Sequence, residues 1–122
     1  QYREKNYNKN IRYITNMSPE IYFQLLNECR CLVGNSSSAI REGAFIGVPA
    51  INIGTRQSSR LKSKNTINAS YNVDKIYKSL KIQTKKLKYK SSNIYGNGNA
   101  AKNIISVLKK LKKINIQKLN SY

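Results

Sequence analysis

Apolar residues concentrate in short runs along this chain, and longer amphipathic stretches separate the runs. Short runs are typical of buried strands, and the stretches between them have the period of helices. The predicted strands cover 11–16, 31–34, 50–53 and 65–69, and the predicted helices cover 18–28, 36–46, 72–86 and 100–113. This alternation predicts an α/β domain, in which helices cover both faces of a parallel sheet.

Local signals mark the starts of several of these elements. Ser18 precedes Pro19, the usual order of an N-cap and a proline in the first helical turn. The residues 72–74 are predicted to open the third helix. The stretch 95–99 contains two glycines and is predicted to be a turn before the last helix.

The stretch from Val33 to Glu42 is the most informative part of the sequence. A strand is predicted to end at Gly34, and three serines follow where a helix is predicted to begin. The N–H groups and partial positive charge of a helix start bind anions, and serine hydroxyls add donors. Ser36 or Ser37 is equally suited to capping the helix, and one serine can cap while its neighbours face a ligand.

A second strand and a polar loop follow this turn. The segment 47–54 predicts a helix stop and a buried strand, and the segment 54–60 is a polar loop of the kind that often carries function. The order of strand, anion-binding turn, helix and strand is typical of half of a nucleotide-binding α/β domain.

The net charge is +18, from 23 basic and 5 acidic residues, and raises the question of nucleic-acid binding. The lysines are widely spread, however, and aromatic residues do not alternate with them as a stacking surface requires. We therefore do not expect a nucleic-acid partner. No apolar run has the length of a membrane span and no signal peptide is evident, so we expect a cytoplasmic protein with no membrane partner.

The 122 residues fit one domain, which we place at 11–114. We assign 1–10 to the remnant of a preceding segment or a linker, and 115–122 to a tail. Because the chain begins at Gln1 in polar sequence, we expect a fragment that lacks an N-terminal part. Cys29 and Cys31 without any histidine do not complete a zinc site, so we expect reduced thiols, no metal and no cofactor.

Two segments carry a resemblance to a known family: GNSSSAIREGAFIGVPAINIGTRQSSR at 34–60 and IYGNGNAAKNI at 94–104. They closely resemble the C-terminal half of the hydrolysing UDP-N-acetylglucosamine 2-epimerases of the sialic and legionaminic acid pathways. Non-hydrolysing enzymes of the same fold typically have SDSGG at the turn and a TERPE-like loop, and this chain has neither. The resemblance implies the second, UDP-binding, Rossmann-like half of a glycosyltransferase-B-like fold with two domains.

The resemblance also implies roles for individual residues. Ser36 and Ser37 match residues that bind the UDP phosphates, and Glu42 matches a carboxylate that accepts hydrogen bonds from the ribose hydroxyls. Arg56 matches the arginine of the GTRQ loop near the nucleotide, and Met17 falls where backbone groups contact the uracil edge. Without the resemblance, both residues allow another interpretation. Glu42 could form a surface ion pair with a neighbouring basic residue, and Arg56 could be a solvated charge in a loop.

The implied reaction converts UDP-N-acetylglucosamine and water into N-acetylmannosamine and UDP, through anti elimination of UDP and hydration of the glycal. Such chemistry needs acid and base groups near the sugar. The chain has no histidine, and its few carboxylates form no evident pair. We therefore assign no catalytic residue, expect these groups in an N-terminal half of the same enzyme, and expect the chain alone to be inactive. For the complete enzyme we expect a homo-oligomer.

Two other functions stay open on the sequence. One is the UDP-sugar-binding half of a glycosyltransferase, which uses the same fold. The other is a degenerate or nucleic-acid-associated basic module. The sequence also does not distinguish N-acetylglucosamine from a diacetamido, bacillosamine-type sugar.

Overall fold

A computed structural model describes residues 8–111 of the chain. Its elements in chain order are α1 (Pro19–Glu28), β1 (Leu32–Gly34), a 3-10 helix (Ser37–Ala39), α2 (Glu42–Ile46), β2 (Ala50–Ile53), β3 (Thr66–Ala69), α3 (Val73–Gln83) and α4 (Ala100–Lys110). The predicted tail at 115–122, most of the predicted segment 1–10 and the last two residues predicted for the final helix lie outside the described residues.

The strands form one parallel sheet in the order β1, β2, β3. Leu32 lies opposite Ala50, and Ile53 lies opposite Ala69. α3 packs on β2 and β3, and the 3-10 helix contacts β1 and β2. The predicted α/β, Rossmann-like class is therefore confirmed. In this parallel arrangement the loops that follow β1 and β2 leave the sheet at the same edge.

The apolar core is small and centres on β2. Its buried hydrophobic residues are Leu26, Ala39, Ile40, Ala44, Val48, Ala50, Ile51 and Ala69. The sequence predicts that the strand ending at Gly34 is buried as well, but this prediction is wrong, since Val33 in β1 is 44% exposed. The reason is that β1 is an edge strand of the described sheet and pairs on one side only.

Two buried amide side chains tie the starts of β2 and β3 together. Gln83 donates through Nε2 to the carbonyl oxygens of Ala50 at 2.7 Å and Asn65 at 2.8 Å. Asn65 donates through Nδ2 to the carbonyl oxygen of Val48 at 2.9 Å. Both side chains are fully buried, so their hydrogen bonds are needed to offset the cost of burying an amide.

The predicted cap at Ser18 and the predicted helix start at Asn72 are confirmed. The Ser18 hydroxyl accepts a hydrogen bond from the N–H of Ile21 at 3.4 Å, and the Asn72 side chain accepts one from the N–H of Lys75 at 3.0 Å. The predicted strand at 11–16 is wrong, because these residues do not join the sheet. Ile11 and Ile14 are about half exposed, so the alternating pattern does not correspond to a buried face.

Candidate functional site

The serine turn, which comprises residues 35–38, follows β1 at the carboxyl edge of the sheet. Ser36 is extended, and its hydroxyl oxygen accepts a hydrogen bond from the N–H of Ser38 at 3.3 Å, which caps the 3-10 helix. Ser37 is the first residue of that helix and is partly buried. Its hydroxyl makes no hydrogen bond to any residue in the described part of the chain. The capping role that the sequence allowed thus belongs to Ser36, and the Ser37 hydroxyl is available to a ligand.

The third serine of the turn has a structural role. Ser38 is 8% exposed, and the Tyr22 hydroxyl donates a hydrogen bond to its Oγ at 2.8 Å. This bond attaches the turn to α1. Sequence reasoning missed it, because Tyr22 fits the apolar face of a helix and its hydroxyl partner lies 16 residues away.

The helix predicted at 36–46 is interrupted. A 3-10 helix ends at Ala39 and α2 begins at Glu42. The Ala39 carbonyl oxygen accepts hydrogen bonds from Asn65 Nδ2 at 3.2 Å and Thr66 Oγ1 at 3.5 Å. This carbonyl is therefore directed toward β3 rather than along a continuous helix. As a result Glu42 opens a new helix, where a negative charge is favourable.

An open cavity of about 560 Å³ lies over the serine turn. Its lining comes from the segment before α1, from α1, and from the turn and the start of α2: Ile14, Thr15, Asn16, Met17, Pro19, Tyr22, Phe23, Ser36, Ser37, Ser38 and Glu42. The cavity therefore brings together four of the five residues that the resemblance singles out, although Met17 is distant from the others in sequence. Its volume lies in the range of small-molecule sites.

Glu42 is partly buried between this cavity and a second one of about 490 Å³, and Phe23 also lines both. The ion pair that the sequence offered as its alternative role does not form among residues 8–111. Its carboxylate is thus free to accept hydrogen bonds from a ligand in either cavity.

Met17 lines the cavity from the segment just before α1. Its N–H donates to the side-chain oxygen of Asn16 at 2.9 Å, and the residue is partly buried. This local hydrogen bond fixes the backbone just before α1, next to the N-cap Ser18.

Arg56 is exposed in the loop after β2 and is not among the residues that line the cavity. The loop reaches the serine turn through the next residue instead. Gln57 is 3% exposed, and its Nε2 donates to the Asn35 carbonyl oxygen at 3.0 Å. The sequence showed Gln57 only as part of the GTRQ motif and did not reveal this contact.

Acid and base groups are scarce around the cavity. Among the described residues, Glu42 is the only acidic one in its lining, and the chain has no histidine. Within residues 8–111 no group of three or more potential metal ligands is present. Cys29 and Cys31 are free thiols, and burial raises the pKa of both, so they stay protonated at neutral pH. Across the described residues, no helix combines the length and apolarity of a membrane span.

A parallel sheet with flanking helices, and a cavity beyond the carboxyl end of β1, define an α/β domain of the Rossmann-like class. The family model for UDP-N-acetylglucosamine 2-epimerase matches residues 2–109, and the chain belongs to this family. The family expected from the two sequence motifs is thereby confirmed, and with it the glycosyltransferase-B-like fold of the family.

Several curated proteins are similar to the chain. The UDP-N-acetylglucosamine 2-epimerase of Neisseria meningitidis serogroup B is 34% identical over 79 residues, which cover 65% of the chain and 21% of that protein. The GDP/UDP-N,N'-diacetylbacillosamine 2-epimerase (hydrolyzing) of Campylobacter jejuni is 35% identical over 88 residues, 71% of the chain and 22% of that protein. The UDP-N,N'-diacetylbacillosamine 2-epimerase (hydrolyzing) of Legionella pneumophila is 32% identical over 99 residues, 81% of the chain and 26% of that protein. The chain thus spans about a quarter of the length of these relatives.

Proposed function

We propose that this chain is the UDP-binding C-terminal domain of a hydrolysing UDP-N-acetylglucosamine 2-epimerase. The main support is that Met17, Ser36, Ser37 and Glu42, from separate parts of the chain, line one cavity at the edge of the sheet where α/β proteins bind ligands. Family membership and two relatives whose names state hydrolysis support the reaction class.

The serine turn binds the diphosphate in this proposal. The Ser37 hydroxyl has no other partner in the described structure, and the Ser37 N–H at the start of the 3-10 helix adds a second donor. Ser36 uses a lone pair of its hydroxyl oxygen to cap Ser38, which leaves its O–H group to donate to a phosphate oxygen. Hydrogen bonds of this kind, to a charged acceptor, are the stronger ones.

The rest of the nucleotide extends along the cavity. Glu42 accepts hydrogen bonds from the two ribose hydroxyls, which a carboxylate with two oxygens does well. The Met17 backbone faces the uracil edge. Arg56, in the loop next to the turn, adds positive charge near the diphosphate without lining the cavity in the described structure.

The proposal assigns the chemistry on the sugar to other parts of the enzyme. Glu42 provides the only carboxylate in the lining as far as residues 8–111 show, and binding ribose occupies it. The acid and base groups then come from an N-terminal half of the same enzyme, and this chain alone does not turn over substrate. The contacts described here involve the nucleotide only, so the same domain serves an N-acetylglucosamine or a diacetamido sugar.

Calorimetric titration of UDP into the purified chain tests the proposal. Ser37→Ala should weaken binding by about 1–2 kcal/mol, and the double variant with Ser36→Ala should weaken it further, because donors to a charged phosphate are lost. Ser91→Ala, an exposed serine that does not line this cavity, is the matched control and should bind like the wild type. Unchanged UDP affinity in the double variant would rule out the serine turn as the diphosphate site.

A further inference from the structure

We propose that Gln57 is a positioning residue, which holds the serine turn in the geometry that binds phosphate. This assignment rests on the proposed function, since it concerns the same site. The observation behind it is a hydrogen bond between two loops, made by a buried side chain. Gln57 is 3% exposed, and its Nε2 donates to the Asn35 carbonyl oxygen at 3.0 Å, one residue before Ser36.

The sheet explains why this contact forms. β1 and β2 are parallel neighbours, and Gly34 at the end of β1 lies opposite Asn52. The loops that follow the two strands therefore leave the sheet side by side. Gln57 lies in the loop after β2, and its side chain reaches Asn35 in the loop after β1.

Because the peptide bond is planar, the hydrogen bond from Gln57 also fixes the orientation of the Ser36 N–H. The Asn35 carbonyl and the Ser36 N–H belong to one rigid peptide unit and point in opposite directions. When Gln57 holds the carbonyl oxygen, the Ser36 N–H is directed away from Gln57, a residue that does not line the cavity. At the other end of the turn, the Tyr22 hydroxyl fixes Ser38. The two serines of the proposed phosphate site thus lie between two anchored points.

A glutamine at position 57 adds little to the stability of the fold, which supports a role in positioning the serine turn. Within residues 8–111 its Oε1 is buried without a hydrogen bond, and an unpaired buried amide oxygen is unfavourable. Leucine has a similar size and carries no such cost.

The test compares Gln57→Leu with Gln83→Leu in the full 122-residue chain. Gln83 is also a buried glutamine that donates to main-chain carbonyls, but its partners Ala50 and Asn65 lie at the opposite end of the sheet. Two ligands are titrated, UDP and uridine, and urea unfolding gives the stability of each variant. Gln57→Met, unbranched like glutamine, repeats the test with a second apolar side chain.

Gln57→Leu and Gln57→Met should each lower the affinity for UDP about tenfold, the effect of one hydrogen bond to a charged group, and leave the affinity for uridine unchanged. Gln83→Leu should destabilise the fold more, without changing the ratio of the two affinities. Wild-type UDP affinity in both Gln57 variants would overturn the assignment, and so would an equal loss for UDP and uridine. A wild-type chain that binds no UDP would overturn the proposed function itself, and this assignment with it.

Discussion

The surroundings of Glu42 favour contact with a ligand over the surface ion pair that was its other possible role. It lies in a chain with 23 basic residues, yet it forms no ion pair within the described structure. It begins α2, which favours its charge, and it lines the cavity beside the serine turn. A carboxylate in this position has both oxygens available to a ligand with neighbouring hydroxyl groups.

Replacing this carboxylate should therefore change nucleotide selectivity more than stability. Glu42→Gln should weaken UDP binding by about 1.5–3 kcal/mol, the range for hydrogen bonds to a charged group, and reduce the preference for UDP over 2′-deoxy-UDP. Competition titrations with the two nucleotides measure both effects. Glu28→Gln, at the end of α1 and outside the cavity lining, should leave them unchanged. If the unmodified chain binds both nucleotides equally, Glu42 does not bind ribose.

Among the helices and strands, the features that depend only on neighbouring residues were predicted correctly from the sequence. Ser18 caps α1 and Asn72 opens α3 as expected, and β2 has its predicted bounds. The interruption after Ala39 was not predictable, because Asn65 competes for its carbonyl from 26 residues away. For the same reason Gln57 was missed, since its contact with the turn exists only once β1 and β2 are side by side.

The end of α2 gives a prediction about stability. Gly47 has φ +80°, and a Cβ there would overlap the Tyr89 carbonyl oxygen, whereas Gly98 has nearly the same φ, +82°, with no atom close to a Cβ. Gly98→Ala should cost about 1–2 kcal/mol for the left-handed backbone alone. Gly47→Ala should cost roughly 1–3 kcal/mol more, because the overlap adds to that strain. Urea unfolding measures both, and equal losses would show that the contact with Tyr89 contributes nothing.

The whole molecule combines a small core with much exposed apolar surface. In the part of the chain that the structure describes, α4 has no buried residue, and its larger apolar side chains are about half exposed. Large exposed apolar patches usually mark surfaces that contact another part of a protein. The chain also spans about a quarter of the length of its relatives. Both facts support our proposal that an N-terminal half of the enzyme completes the active site.

UDP bound over the serine turn would change the environment of nearby backbone amides, so a UDP titration of the isotopically labelled chain, followed by amide chemical shifts, locates the binding site. We expect shift changes grouped at Met17, at 35–38 and at Glu42. Lys62, Lys64 and Lys90 line a separate cavity of about 570 Å³, where attraction by positive charge alone could place a diphosphate. Shift changes confined to those lysines, or no changes at all, would show that UDP does not bind over the serine turn.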